Sequence, residues 1–324
     1  MSLSALVASS PLLSVVVFLL GIGLVIWSVE AFVEHVAATA VGLGVSTFFL
    51  TVVLAGTDLE NAVLGGAAVL GRLPDVGLGT VFGEAVFILC LAVGLGGILV
   101  PFEVSTPPRY LALTAVSPAP LLALSLDGAL SRVDGAILTF AFLPAVYVMY
   151  RWERARGGGY LEAEDELDED VEENEASALV RLGVLLLTVV GMTVGSELAV
   201  EGTRGLLAFT GIAGLVFGAT VLSVIASLEE ILLTVEPVRN GQPAVAAGNV
   251  VGSLVFFVTA NAGVLALVHP LSLSPSVWTV QYPFVLLSLG IVLALLYRGT
   301  VTRANGVALV GLYGVYWLLN YLVV

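Results

Sequence analysis

Lysine is absent from this 324-residue chain, and all eleven basic side chains are arginine. Charged residues make up 11 % of the sequence, against roughly a quarter in soluble proteins, and 59 % of it is hydrophobic. That shortage of charge excludes an ordinary soluble domain. The net charge of −14 runs opposite to that of a nucleic-acid binder. The single cysteine, Cys90, excludes an intramolecular disulfide and a thiolate metal cluster, and it reads as a small core residue. The two histidines, His35 and His269, stand at the ends of apolar runs and read as structural. No basic residue precedes the first apolar run, so the start of the chain reads as a membrane span rather than a cleavable signal peptide.

What is present is a series of apolar runs. They predict an all-α polytopic membrane protein with spans near 11–33, 43–70, 77–99, 109–126, 133–150, 179–200, 211–236, 243–268, 277–297 and 304–323. Pro118 and Pro120 interrupt the fourth. With ten alternating spans and an external N-terminus, the inner loops hold Arg109, Arg151, Arg154, Arg156, Arg181, Arg239, Arg298 and Arg303. The outer loops then hold only Arg72, Arg132 and Arg204, so the positive-inside rule places both termini outside a cell membrane. Ten of the 25 acids lie between Glu162 and Glu175, in a segment read as a solvated cytoplasmic connector.

Polar groups interrupt two of the spans, at Gly56-Thr57-Asp58-Leu59-Glu60-Asn61 and at Ser227-Leu228-Glu229-Glu230. An acid at mid-depth costs roughly 2.5–3.5 kcal/mol on insertion scales. Asp58, Glu60, Glu84, Glu229 and Glu230 together cost on the order of 15 kcal/mol if charged and unpaired. No arginine falls near the middle of any apolar span, so the neutralising charge is expected from outside the chain, as protons or metal cations.

A shift of 169 residues aligns Gly42 with Gly211, Leu59 with Leu228, Glu60 with Glu229 and Pro74 with Pro243. It also aligns Gly79, Gly83, Phe87 and Gly94 with Gly248, Gly252, Phe256 and Gly263. A two-residue adjustment matches Glu30 and Glu34 to Glu197 and Glu201. The expected organisation is a first five-helix repeat (1–152), an acidic linker (153–178) and a second five-helix repeat (179–324). Five is odd, so the halves insert with opposite orientation, the architecture of alternating-access transporters with a mid-depth site.

Residues three apart share a helix face, which pairs Asp58 with Asn61 and Ser227 with Glu230. Small residues in Gly79–Gly83 and Gly248–Gly252 let neighbouring helices approach and bring Glu84 and Ser253 inward. The candidate ligands are therefore Glu230, Asp58, Glu84, Glu60, Glu229, Asn61, Ser227, Ser253, Asn249 and Thr57. An oxygen set without His or Cys suits Na⁺ or Ca²⁺, with protons as competitors, rather than zinc or copper. Glu60 and Glu229 point about 100° from the Asp58/Asn61 and Ser227/Glu230 faces and are peripheral on that count. Glu30, Glu34, Glu197 and Glu201 read as interfacial. No cofactor is expected, and the partners are the lipid bilayer and inorganic cations, with no nucleic acid. The oligomeric state stays open, a monomer being compatible with this reading.

The stretches Ser196-Glu197-Leu198-Ala199-Val200-Glu201-Gly202, Leu215–Thr220, Ser227-Leu228-Glu229-Glu230 and Gly248-Asn249-Val250-Val251-Gly252-Ser253 resemble the sodium/calcium exchanger family of the cation/Ca²⁺ antiporter superfamily. The first half fits the same pattern through Leu50-Thr51-Val52-Val53, Gly56-Thr57 and Leu59. The resemblance implies exchange of one cation for another, not enzymatic catalysis. It puts Glu230 on the family's binding glutamate, with Ser227 and Ser253 on the accompanying hydroxyls. The departures lie in the site. Asn61 replaces the first-half glutamate, Asp58 and Glu84 stand where serine is usual, and Glu60 and Glu229 replace prolines. Ile88 and Phe257 occupy the position of a further Asn or Asp. A one-residue shift would instead make Glu60 and Glu229 the symmetric pair, and both alternatives stand. Na⁺/Ca²⁺ exchange leads, Na⁺/H⁺ or Ca²⁺/H⁺ exchange is the rival on the same fold, and a passive cation channel is the rival of another class.

Overall fold

A computed structural model describes Val7 and residues 10–42, 58–154 and 178–323. The predicted second span before Asp58 and most of the acidic linker lie outside the described residues, as does Thr57. The described chain is helical. The first half holds α1 (Pro11–Gly42), α2 (Leu59–Leu70), α3 (Pro74–Leu99), α4 (Pro108–Val116), α5 (Pro118–Leu124) and α6 (Arg132–Arg154). The second holds α7 (Ala178–Thr210), α8 (Gly214–Ala226), α9 (Leu228–Arg239), α10 (Pro243–Val268), α11 (Val277–Arg298) and α12 (Arg303–Val323).

Among the described residues, six helices are long and apolar enough to cross a membrane: most of α1 and α6, and the whole of α3, α10, α11 and α12. A seventh is added if α7 and α8, bent by 120° at Gly211–Ala213, count as one broken span. The protein is an all-α, multi-pass membrane protein. Four predicted spans differ from expectation. The first runs on to Gly42, nine residues past its expected end. The fourth is two short helices joined at Ser117, because Pro118 lacks an amide hydrogen and Pro120 follows within the same turn. The seventh is cut at Ser227 (φ −107°, ψ 17°), where α8 ends and α9 begins. The sixth runs on to Thr210, ten residues past its expected end.

Element positions recur at the offsets found in the sequence. Pro74–Leu99 returns 169 residues later as Pro243–Val268, and the start of α2 as the start of α9. Both α3 and α10 carry a wider, π-helical stretch at matching places, Phe87–Ala92 and Phe257–Asn261. Left-handed backbone also recurs. Arg72 (φ 61°) corresponds to Gly241 (φ 78°), each closing the helix before a proline-led one. Strand β1 (Phe102–Glu103) pairs with β4 (Thr300–Val301), and β2 (Ala129–Leu130) with β3 (Leu271–Ser272).

α3 and α10 form the centre and are buried along most of their length, while α6 and α12 are largely exposed. α9 packs on Val93–Leu99 of α3, and α2 packs on Ala262–Val268 of α10, so each half closes on the other. α1 lies along α7 through small residues. A β-carbon on Gly195 would sit 2.9 Å from the Gly21 carbonyl oxygen, so only glycine permits that approach. On α3, a β-carbon at Gly79 would meet the Ala219 amide at 2.7 Å, and one at Gly83 would meet the Ala219 Cα at 2.7 Å. These glycines seat α3 directly on α8 and bring Glu84 to the seam between the halves.

Candidate cation site

The N-termini of α2 and α9 hold the site. Asp58 is the N-cap of α2, and its carboxylate accepts the Asn61 amide at 2.9 Å, satisfying one of the otherwise unpaired first-turn amides. The Asn61 side chain donates to the other Asp58 oxygen and to the Ser227 hydroxyl of the second half at 3.1 Å. At the repeat-equivalent position, the Glu230 amide turns to the Ser227 carbonyl (3.1 Å) and so leaves the bond to Ala226 that an unbroken helix would make. Local unwinding thus exposes backbone oxygen beside the side chains.

Glu230 is 2 % exposed; its carboxylate accepts the Asn249 side-chain amide at 2.6 Å and lies within reach of the Ser253 hydroxyl. Glu84 is fully buried and accepts the Asn261 amide at 2.9 Å through Oε2. Its Oε1 has no partner among the described residues, nor do the side-chain oxygens of Asn61 and Asn261. Asp58 is close enough to repel both Glu84 and Glu230. The helix N-termini favour negative charge by about 0.3–1 kcal/mol each, well short of the roughly 2.5–3.5 kcal/mol that each mid-depth acid costs. Among the described residues the one carboxylate–arginine pair is Glu201 with Arg204, at the exposed end of α7. Three unpaired carboxylates with orphaned acceptors around them call for cations.

Of the residues expected at the site, Asp58, Asn61, Glu84, Ser227, Glu230, Asn249 and Ser253 are brought to this central cluster. Thr57 lies outside the described residues. Glu60 and Glu229 face away, as their helix angle predicts, and meet Glu30 of α1 instead. The sequence reading missed Asn261. Its only signal was an amide in an apolar stretch two turns beyond Ser253, on the stripe that continues through Phe257. His269 donates through Nδ1 to the neighbouring Pro270 carbonyl (2.7 Å), a local structural contact.

The sodium/calcium exchanger protein family matches residues 13–151 and 180–322. The chain belongs to that family. Similar proteins within reach of this exchanger-family chain include the inner membrane protein YrbG of Escherichia coli (strain K12), 27 % identical over 96 % of this chain and 99 % of that one. The sodium/calcium exchanger MaX1 of Methanosarcina acetivorans is 32 % identical over a shorter stretch, 28 % of this chain and 26 % of its own. In solved structures, the sodium-calcium exchanger NCX_Mj shares the fold at 24 % identity, with a TM-score of 0.59, covering 94 % of this chain and 98 % of that one. The family is one of transporters rather than enzymes.

Proposed function

We propose that this member of the family is a secondary cation antiporter, exchanging Na⁺ for Ca²⁺ by alternating access. The observation that carries the reading is the central cluster: Asp58, Glu84 and Glu230 buried without a basic partner, interleaved with Asn61, Ser227, Asn249, Asn261 and Ser253. Glu230, Glu84 and Asp58 act as charged ligands, and the amides and hydroxyls as neutral ones. One Ca²⁺ leaves a single negative charge among these three acids, which a proton or a Na⁺ then balances. That remainder favours one second reading, in which protons are the counter-ion.

The architecture proposed with it is ten spans in two inverted halves, 1–152 and 179–324, joined by the acidic segment 153–178, with both termini outside. The matching offsets of helices, π-helical stretches and left-handed residues support that duplication. The strand pairing supports inversion as well: β3 is the repeat image of β1, β4 that of β2, and each pairs with the image of the other.

The test is ⁴⁵Ca²⁺ uptake into proteoliposomes loaded with Na⁺, compared with an imposed pH gradient. Uptake driven by outward Na⁺, and weakened at least about tenfold by Glu230→Gln, is the expected result. Uptake driven only by the pH gradient favours the second reading. Flux with no counter-ion dependence, or full exchange by Glu230→Gln, overturns the antiporter assignment.

A further inference from the structure

The repeat-related acids Glu60 and Glu229 stand one residue before Asn61 and Glu230, about 100° round the α2 and α9 N-termini from them. There they converge with Glu30 of α1, and carboxylate oxygens of all three lie within 4.8 Å of one another. Glu60 is 5 % exposed, Glu229 is half-buried and Glu30 is exposed. Glu60 has no hydrogen-bond donor and no basic partner among the described residues, although its side chain is driven into the protein near the carboxylates of Glu229, Asp58, Glu30 and Glu230. Burial without a donor at such a position is explained by a ligand that neutralises all three. Carboxylate oxygens gathered that closely, with no nitrogen or sulfur donor among them, suit a hard cation such as Ca²⁺.

We infer that Glu30, Glu60 and Glu229 form a second hard-cation site, for a divalent ion such as Ca²⁺, at the seam where α1 meets the N-termini of α2 and α9. Its three ligands are distinct from those of the central site, although Asp58 and Glu230 lie near enough to repel Glu60, and it does not depend on the antiporter reading. The ion fastens α1, through Glu30, to the two helix ends that present Asn61 and Glu230 to the centre. Occupancy therefore tethers the α1–α7 pair to the elements carrying the central ligands. The exposed Glu30 supplies the open side of the site.

The experiment is equilibrium binding of ⁴⁵Ca²⁺ to the purified full chain and to three variants. Two ions per chain are expected. Glu30→Gln, at an exposed position that leaves folding intact, weakens one of them at least tenfold and spares the other. Glu60→Gln does the same, while Glu230→Gln removes the other ion. Two ions retained by Glu30→Gln refute the second site. A single ion lost only to Glu230→Gln refutes it as well and leaves the central site standing. A single ion lost to Glu30→Gln but not to Glu230→Gln supports the second site and denies calcium to the centre. No bound calcium at all refutes both.

Discussion

Replacing Asn261 with leucine tests the central cluster at its least obvious member. Asn261 donates to the fully buried Glu84 at 2.9 Å, and the other Glu84 oxygen has no partner among the described residues. A hydrogen bond to a charged group is worth about 1.5–3 kcal/mol, and a carboxylate so deep has no water to replace the amide. Leucine keeps the branching and the number of side-chain heavy atoms of asparagine, and the double variant separates its extra bulk from the loss at the carboxylate. If Glu84 holds a cation, its apparent affinity in exchange falls by about 10- to 150-fold, the range that 1.5–3 kcal/mol corresponds to. The assay is initial uptake rate against cation concentration in proteoliposomes, repeated in a Glu84→Leu background. There Asn261→Leu has no carboxylate left to support, and the two changes together cost less than their sum. Unchanged affinity in the single variant, or strict additivity in the pair, refutes the link.

Gly83→Ala drives a methyl group into the Ala219 backbone of α8, and overpacking of this kind costs about 1–3 kcal/mol. Thermal unfolding in detergent should drop by several degrees, whereas an unchanged midpoint denies the close contact. Arg72→Gly relieves a left-handed backbone that costs a side-chain-bearing residue about 1–2 kcal/mol. After the entropic cost of glycine, a net gain of roughly 0.5–1 kcal/mol is expected in the same melt, and a lower midpoint contradicts it.

Much of the fold was legible because duplication leaves a fixed offset. Pro74 and Pro243 open matching helices since proline is tolerated at a helix's first turn, and the shared glycines mark where helices meet. The central acids were legible for a different reason. Carboxylates in apolar spans are too costly to be incidental, and spacing alone paired Asp58 with Asn61 and set Glu60 apart. Less was readable of Asn261, because its partner Glu84 is 177 residues away on another helix.

The amino-acid sequence by itself determined a membrane protein whose apolar segments recur at a fixed offset, with acids inside them and no arginine near the middle of any apolar span. Hydropathy and local spacing suffice for that, since both act within a single helix. Only the tertiary structure decided that Asn61 reaches Ser227, that Asn261 reaches Glu84, and that Glu30 joins Glu60 and Glu229. It also decided that the chain bends by 120° before α8 and breaks again at Ser227. Those outcomes depend on how helices distant in sequence are laid against one another, and helix periodicity carries no information about that.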